Sequence, residues 1–260
     1  MANYQKENEI MNSIIVNADD FGLNEHCSKA IAETFEQGLV TDTTMMATGE
    51  YFDEAVTLAK ERGFIDKIGI HLNLTEGIPL TDDIKSCPRF VTEGRFNKKY
   101  DRTKRLTAEE SAAIYKELSA QADKIQRAGI TITHADSHHH IHTGIFVAPI
   151  AVKVCKEHGI NKIRLHRNVG HINFIKRLVK ERYNNWLRDQ GFVTTKYFAY
   201  VMDIDGFNVP DNTEIMIHPD YDKDGKLVDR RGMEDGYPIG NPIPPYGARP
   251  NIVLRGYKEL

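Results

Sequence analysis

Near its N-terminus the chain reads Ile14-Ile15-Val16-Asn17-Ala18-Asp19-Asp20-Phe21-Gly22. Three β-branched residues in succession predict a strand that is buried on both faces, as in a parallel sheet covered by helices. Two carboxylates follow, and an unpaired charge inside a core is very costly. We therefore expect Asp19 and Asp20 to lie where the strand ends and a cavity opens, with the turn made easy by Gly22. The alternative is a strand end followed by an aspartate that caps a helix.

Length and charge limit the class of protein. A chain of 260 residues is long enough for one large α/β domain, and we expect a single domain over residues 1–260. The net charge of -3, from 34 basic and 37 acidic residues, gives no reason to expect nucleic acid or an anionic membrane as a partner.

Several absences in the sequence favour a cytoplasmic protein. No apolar run approaches the length of a membrane-spanning helix. Residues 1–12 are mostly polar, lack the apolar core of a signal peptide and are expected to form a loose N-terminal extension. The three cysteines, Cys27, Cys87 and Cys155, are scattered and odd in number, which fits a reducing compartment and gives no metal-binding pair.

Strand and helix patterns alternate along the chain. Apolar periodicity predicts helices over residues 25–37, 51–62, 106–128, 146–157 and 172–190. Strands are predicted over residues 14–16, 39–47, 67–72, 130–134, 160–165, 197–202 and 214–218. This alternation predicts an α/β fold with a parallel sheet, open or closed. Residues 73–106 lack periodicity, and such a long irregular stretch is usually functional or mobile.

Polar residues with metal or proton chemistry collect at the ends of four predicted strands. They are Asp19 and Asp20, His71, the segment 134–142, and His218. In parallel α/β folds the site lies at the carboxyl ends of the strands. The positions therefore predict one shared site.

The segment His138-His139-His140-Ile141-His142 suits a divalent metal because it offers several imidazoles. In extended backbone, His138, His140 and His142 would share one face. The residues alone leave open which of the three is the ligand, and the alternative is a solvated polar loop. His71 taken alone is more often a satisfied core histidine than a ligand.

Two histidines and one carboxylate leave coordination positions open, as in a catalytic metal site. A metal held in this way acidifies bound water and polarises a carbonyl. The second aspartate could then act as a base, and His218 could protonate a leaving group. A cap or core role for His218 is the alternative. Arg164 and His166 could contact substrate or pair with an aspartate.

Four ordered motifs, at residues 16–22, 38–44, 69–75 and 133–142, together resemble the YdjC-like carbohydrate deacetylases. This family includes the chitooligosaccharide deacetylases of sugar-utilisation operons. The resemblance covers roughly residues 13–220. It implies a distorted β/α barrel related to the polysaccharide deacetylases, a divalent metal usually recorded as magnesium, and often a homodimer.

The resemblance also implies a role for each matching residue. Asp20, His71 and His138 would be the metal ligands, Asp19 the general base and His218 the general acid. Ligand chemistry favours zinc, cobalt or manganese for two imidazoles, since magnesium prefers oxygen ligands. The native ion therefore stays open. Residues 221–260 depart from the family and form an atypical tail in which no closing helix is predicted.

The resulting hypothesis is a metal-dependent hydrolase that removes N-acetyl groups from acetylated amino sugars or short oligosaccharides such as chitooligosaccharides. One alternative is a metal-dependent phosphoesterase that binds its substrate through Arg164, His166 and Arg167. A second is a non-catalytic metal-binding protein that uses the histidine run. The sugar and its chain length stay open.

Overall fold

The computed structural model describes residues 11–102, 104–204, 206–230 and 242–260. In the described ranges the strands are β1 (Asn12–Phe21), β2 (Asp42–Met45), β3 (Ile68–Leu72), β4 (Val91–Thr92), β5 (Arg95–Phe96), β6 (Ala135–Ser137), β7 (Tyr197–Tyr200), β8 (Thr213–Ile217), β9 (Pro219–Tyr221), β10 (Leu227–Asp229) and β11 (Ile252–Leu254). The main sheet has seven strands in the order β6-β3-β2-β1-β8-β7, and β11 pairs with the start of β1. All its pairings are parallel.

Helices connect most of these strands. They are α1 (Glu25–Glu36), α2 (Phe52–Glu61), α3 (Asp82–Lys85), α4 (Ala108–Arg127), α5 (Ala148–Glu157) and α6 (Phe174–Asp189). The five longer helices lie where periodicity predicts them. The reason is local: α4, for example, begins with a capping box between Thr107 and Glu110, which satisfies backbone N–H groups that no helix can satisfy itself.

Strand β1 is the centre of the sheet and pairs with β2, β8 and β11. Ile14, Ile15 and Val16 are fully buried, which confirms the predicted buried strand. The strand continues through both carboxylates, and the backbone turns at Asp20 itself, with φ 73°, as well as at Gly22. A left-handed conformation costs a non-glycine residue roughly 1–3 kcal/mol, so the contacts of Asp20 must hold it.

Two predicted strands differ from the structure. The prediction for residues 130–134 is wrong because the ordered strand there is β6, at Ala135–Ser137. Ile130 and Ile132 are buried without being part of a strand, and this burial explains their apolar pattern. Residues 160–165 form only isolated bridges, from Ile163 to Ala135 and from Lys162 to Val193. The sheet still has seven strands because β11 is added.

The curled sheet and its helices form a distorted β/α barrel, which confirms the predicted fold class. Residues 160–168 lie between the edge strands β6 and β7, where the sheet would otherwise be open. Ala135 donates to Lys162 O at 2.9 Å, and Asn168 donates to Phe198 O on β7 at 3.2 Å. The chain therefore passes from one edge strand to the other without forming a regular strand.

Helix α6 buries its apolar residues only in its second half. Ile175, Leu178 and Val179 are 70%, 51% and 64% exposed, whereas Leu187 is fully buried and Trp186 is partly buried. The first half of the helix therefore exposes its apolar residues, and only the second half packs against the core. Periodicity shows which residues share a face, but not whether a neighbour covers it.

The two ends of the chain are partly described. Residues 1–10 of the predicted N-terminal extension lie outside the described residues, and Asn12 belongs to β1. Within 221–230 and 242–260 the chain forms strands and 3-10 turns with no α-helix, as expected, and β11 supplies a final strand. Among all described residues, none of the helices is long and apolar enough to span a bilayer.

Candidate active site

A cavity of about 270 Å³ opens at the carboxyl ends of β1, β3, β6 and β8. It is lined by Asp19, Asp20, His71, Ser137, His138, His139, His140, Met216, His218 and Arg230. All of the catalytic and ligand residues expected from the sequence are among them. The reason is topological, since parallel strands bring their carboxyl ends to one edge of the sheet.

Asp20 is the centre of a buried group of donor atoms. Its Oδ1 lies 3.1 Å from His71 Nε2 and 2.8 Å from His138 Nδ1. The three side chains are almost completely buried. Arg230 Nη2 donates to Asp20 Oδ2 at 2.6 Å. These contacts converge on the one residue of the strand end that adopts a left-handed backbone, and they account for its conformation.

His71 is held from behind by two residues. Its Nδ1 lies 2.6 Å from Asp136 Oδ1 and 3.1 Å from Thr44 Oγ1. The Thr44 hydroxyl also donates to Asp136 Oδ2 at 3.0 Å, so Thr44 supports the cavity wall. Burial opposes the charged imidazole, but the carboxylates of Asp136 and Asp20 outweigh it and raise the pKa of His71 to about 10.

His138 is held in the same way. Its Nε2 lies 2.9 Å from Glu76 Oε2, while Nδ1 faces Asp20. Burial again opposes the charged imidazole, and the Asp20 and Glu76 carboxylates raise the pKa of His138. Burial alone would raise the pKa of Asp20, but the imidazoles of His138 and His71 outweigh burial and hold that pKa well below its usual value. Each histidine therefore has one nitrogen on Asp20 and one on a second carboxylate.

The histidine run is not extended, so the predicted shared face is wrong. Residues 138–143 form a 3-10 turn in which His139 and His140 have φ values of 50° and 54°. The side chains therefore diverge. His140 Nε2 lies 2.9 Å from Tyr200 Oη, and His142 Nδ1 lies 2.5 Å from Ser137 Oγ. Among the three candidate ligands of the run, the geometry singles out His138 as the one beside Asp20.

Asp19 forms a second buried centre next to Asp20. Its Oδ2 accepts from Arg164 Nη1 at 2.6 Å, and its Oδ1 accepts from Arg164 Nη2 at 2.7 Å. Asn17 Nδ2 donates to Oδ1 at 2.9 Å. His218 Nε2 lies 4.0 Å from Oδ2. Burial would raise the pKa of Asp19, but the Arg164 guanidinium outweighs it and holds that pKa far below its ordinary value.

Arg164 pairs with an aspartate, the second of its two expected roles. Its side chain is fully buried and also contacts Asp136 Oδ2 at 2.6 Å and Glu214 Oε1 at 2.7 Å. A guanidinium enclosed by three carboxylates is not placed to bind a substrate phosphate. His166 fits that role no better, because burial, Lys180 and Arg167 lower its pKa to about 4.

Sequence reasoning missed three residues of the site: Asp136, Glu76 and Arg230. Asp136 could have been found, since it is a carboxylate at a strand end like Asp19. Glu76 lies in the irregular stretch and Arg230 in the atypical tail, where no periodic signal marks either residue. The tail over residues 221–260 therefore supplies the side chain of Arg230 to the cavity.

Fold and site together define a barrel protein with a candidate catalytic metal centre. The YdjC-like protein family matches residues 13–238. A carbohydrate deacetylase of Clostridium beijerinckii is 35% identical over 223 residues, which cover 83% of this chain and 84% of the relative. A carbohydrate deacetylase of Brevibacillus brevis is 34% identical over 211 residues, covering 80% and 81%. The chain belongs to the YdjC-like family, which confirms the resemblance.

The chain is also similar to a third curated relative and to a solved structure. A protein named carbohydrate deacetylase 1 from Listeria innocua is 36% identical over 209 residues, covering 80% of this chain and 81% of the relative. A solved structure from Enterococcus faecalis, of a protein named as a candidate for cellobiose-phosphate cleavage, superposes with a TM-score of 0.69. It covers 96% of this chain and 98% of its own at 22% identity, which supports the fold alone. At the level of the relatives' names, the expectation of a deacetylase enzyme is confirmed.

Proposed function

We propose that this enzyme is a metal-dependent hydrolase that removes N-acetyl groups from acetylated amino sugars or short oligosaccharides such as chitooligosaccharides. Family membership and the relatives' names support carbohydrate deacetylation. The observation that carries the metal dependence is the convergence of Asp20, His71 and His138, whose donor atoms all lie within 4.8 Å of one another.

The spacing of these donors fits one divalent cation. Ligand atoms bound to one ion at about 2.0–2.2 Å lie roughly 3 Å apart. Asp20 Oδ1 lies 3.1 Å from His71 Nε2 and 2.8 Å from His138 Nδ1. The other nitrogen of each imidazole faces a carboxylate, which is how ligand histidines are usually oriented. Magnesium is the ion implied by the family, whereas two nitrogen donors suit zinc, cobalt or manganese.

The bound metal would polarise the acetamide carbonyl and acidify a water molecule. Asp19 would accept a proton from the attacking water at Oδ2, the oxygen nearest His218. The oxygen of the water bonds to the acetyl carbon, the C–N bond breaks, and His218 donates a proton to the departing nitrogen. The products are acetate and a free amine. Arg164 contributes by keeping Asp19 ionised and by fixing the direction of its carboxylate.

The division of labour between the two aspartates follows from their contacts. Asp20 Oδ1 contacts both ligand histidines, whereas Asp19 is held by Arg164 and Asn17, with its Oδ2 4.0 Å from His218 Nε2. Arg164 binds both oxygens of Asp19, whereas Arg230 binds only Oδ2 of Asp20 and leaves Oδ1 facing the two histidines. We therefore assign binding of the metal to Asp20 and proton transfer to Asp19.

The histidine run gives little support to a metal-storage protein. His139 Nδ1 lies 2.9 Å from Thr75 Oγ1, and His140 and His142 contact Tyr200 and Ser137. The side chains are thus spread over separate partners. A storage protein would bind several ions through the run, whereas the deacetylase needs one ion per chain.

The test is an acetate-release assay with measurement of the bound metal. N-acetylglucosamine and its oligomers should release acetate, phosphosugars should release no phosphate, and each chain should hold one ion. An anomalous-scattering map at the metal edge should place that ion between Asp20, His71 and His138. The proposal is wrong if the metal-loaded protein releases no acetate from any of these sugars.

A further inference from the structure

A second cavity, of about 380 Å³, opens beside the catalytic one. Its walls include residues 46–50, which follow β2, and residues 76–80, which lie a few positions after β3. Both segments extend from the carboxyl ends of their strands. The two cavities therefore lie at the same end of the sheet, where a substrate would approach.

Glu76 connects the two cavities. It lines the second cavity, and its Oε2 lies 2.9 Å from Nε2 of His138, which lines the catalytic cavity. The Glu76 side chain separates the two cavities and is 41% exposed, so a ligand can contact it from solvent. A linear molecule with one unit at Asp19 and Asp20 that extends past Glu76 would place its next unit in the second cavity.

A buried asparagine holds the two walls together. Asn73 Oδ1 accepts from the backbone N–H groups of Thr75 at 2.9 Å and Glu76 at 3.2 Å. Its Nδ2 donates to Thr48 Oγ1 at 2.7 Å and to Glu76 O at 2.5 Å. Satisfied buried networks of this kind rigidify the chain around them. The second cavity is therefore preformed.

A buried glutamate fixes the far end of the same wall. Glu117 is fully buried, and its Oε2 accepts from the backbone N–H groups of Leu80 at 3.0 Å and Thr81 at 2.9 Å. The irregular segment after β3 is thus tied to helix α4. Residues 76–80 therefore form a fixed wall of the cavity.

The lining suits a neutral, hydroxyl-rich ring. Leu23, Ile78 and Pro79 offer apolar surface, and Asn24, Glu50 and Arg95 offer polar groups. Lys124 also lines the cavity, but its ammonium group donates to Ala47 O at 2.8 Å and lies 4.1 Å from the centre of the Phe52 ring. The carboxylates of Glu50 and Glu76 offset the remaining positive charge, so the cavity does not favour an anion.

We propose that the second cavity binds the neighbouring sugar unit of an oligosaccharide whose acetylated unit occupies the catalytic cavity. The proposal rests on the deacetylase function. It adds a chain-length preference: a substrate of two or more units uses both cavities, and a monosaccharide uses one. Pockets of this size with a few convergent polar groups commonly bind small molecules.

The test compares kcat/KM for N-acetylglucosamine and its dimer and trimer. Wild-type enzyme should prefer the dimer and trimer. Ile78 is 55% exposed, so Ile78→Trp should fill the cavity with little effect on folding. We expect Ile78→Trp and Arg95→Ala to lower the dimer-to-monomer ratio of kcat/KM by about tenfold. The matched control is Ile145→Trp, since Ile145 is 74% exposed and lines neither cavity.

Calorimetric titration of the Asp19→Asn protein with the same sugars gives a readout that is independent of turnover. Adding Ile78→Trp should weaken binding of the dimer and trimer more than binding of the monomer. An unchanged preference in both variants, with acetate still released, would overturn the second cavity as a subsite and leave the deacetylase proposal intact. Failure to release acetate from any sugar, with dimer binding still weakened by Ile78→Trp, would instead overturn the deacetylase proposal.

Discussion

Arg164 donates hydrogen bonds to both oxygens of the Asp19 carboxylate, at 2.6 and 2.7 Å, and both side chains are almost completely buried. The same guanidinium contacts Asp136, which orients His71, and Glu214. One buried cation thus connects the proposed base with the support of a proposed metal ligand. Orientation of the site and stability of the barrel depend on the same residue.

Removing Arg164 should destabilise the fold strongly. Arg164→Ala leaves the buried carboxylates of Asp19, Asp136 and Glu214 without their shared counter-charge. We expect the free energy of unfolding to fall by about 3–5 kcal/mol, measured by urea denaturation. The control is Arg62→Ala, because the Arg62 side chain is 50% exposed in its pair with Glu36 and should contribute less than about 1 kcal/mol. Equal effects of the two substitutions would contradict this account.

The two adjacent aspartates should separate metal binding from turnover. Asp19→Asn removes the proton acceptor but keeps Asp20, so we expect one bound ion and a loss of roughly 10²–10⁴ in kcat. Asp20→Asn should lose both the ion and activity. The measurements are metal analysis of the purified variants and acetate release. If instead Asp19→Asn loses the ion and Asp20→Asn keeps it, our assignment of the two residues is reversed.

The histidine run should contain one metal ligand. His138→Ala removes the imidazole beside Asp20, so we expect the bound ion to be lost. His140→Ala is the matched control, since His140 contacts Tyr200 and should not be needed to hold the ion. Calorimetric titration with a divalent cation measures both. Unchanged affinity in His138→Ala would transfer the ligand role to His140 or His142.

His142 should make the protein less stable in acid. Its Nε2 donates to Arg164 O at 3.2 Å and its Nδ1 accepts from Ser137 Oγ, so the neutral ring satisfies both partners. Burial, together with the nearby Arg164 charge, lowers the pKa of His142 to about 3. Between the unfolded value near 6.5 and pH 3 the unfolded chain binds a proton that the folded chain does not. The unfolding free energy therefore decreases as the pH is lowered through this range, by up to about 1.4 kcal/mol per pH unit.

The check is urea denaturation at pH 6.5, 5.5 and 4.5. His142→Gln removes the titrating group and should make the unfolding free energy depend less steeply on pH, whatever its effect on stability at neutral pH. His26→Gln replaces an exposed histidine and should leave the steepness as in the wild type. A His142→Gln protein that loses stability in acid as steeply as the wild type would refute the prediction.

Features that depend on neighbours in the chain could be read from the sequence. The longer helices follow from periodicity and caps, and the buried strand β1 follows from Ile14, Ile15 and Val16. The shared cavity follows as well, because parallel strands bring their carboxyl ends together and Asp19, Asp20, His71 and His218 each lie at or just after such an end.

The tertiary structure decided what depends on contacts between distant residues. Which histidine of the run faces Asp20 is set by left-handed backbone at His139 and His140, which alternation along a strand cannot predict. Arg164 lies 145 residues from Asp19 in sequence, and Arg230 lies 210 residues from Asp20. Neighbouring residues in the sequence determine the backbone conformation that a segment favours. Which charged side chains pair with each other is determined only when the whole chain packs.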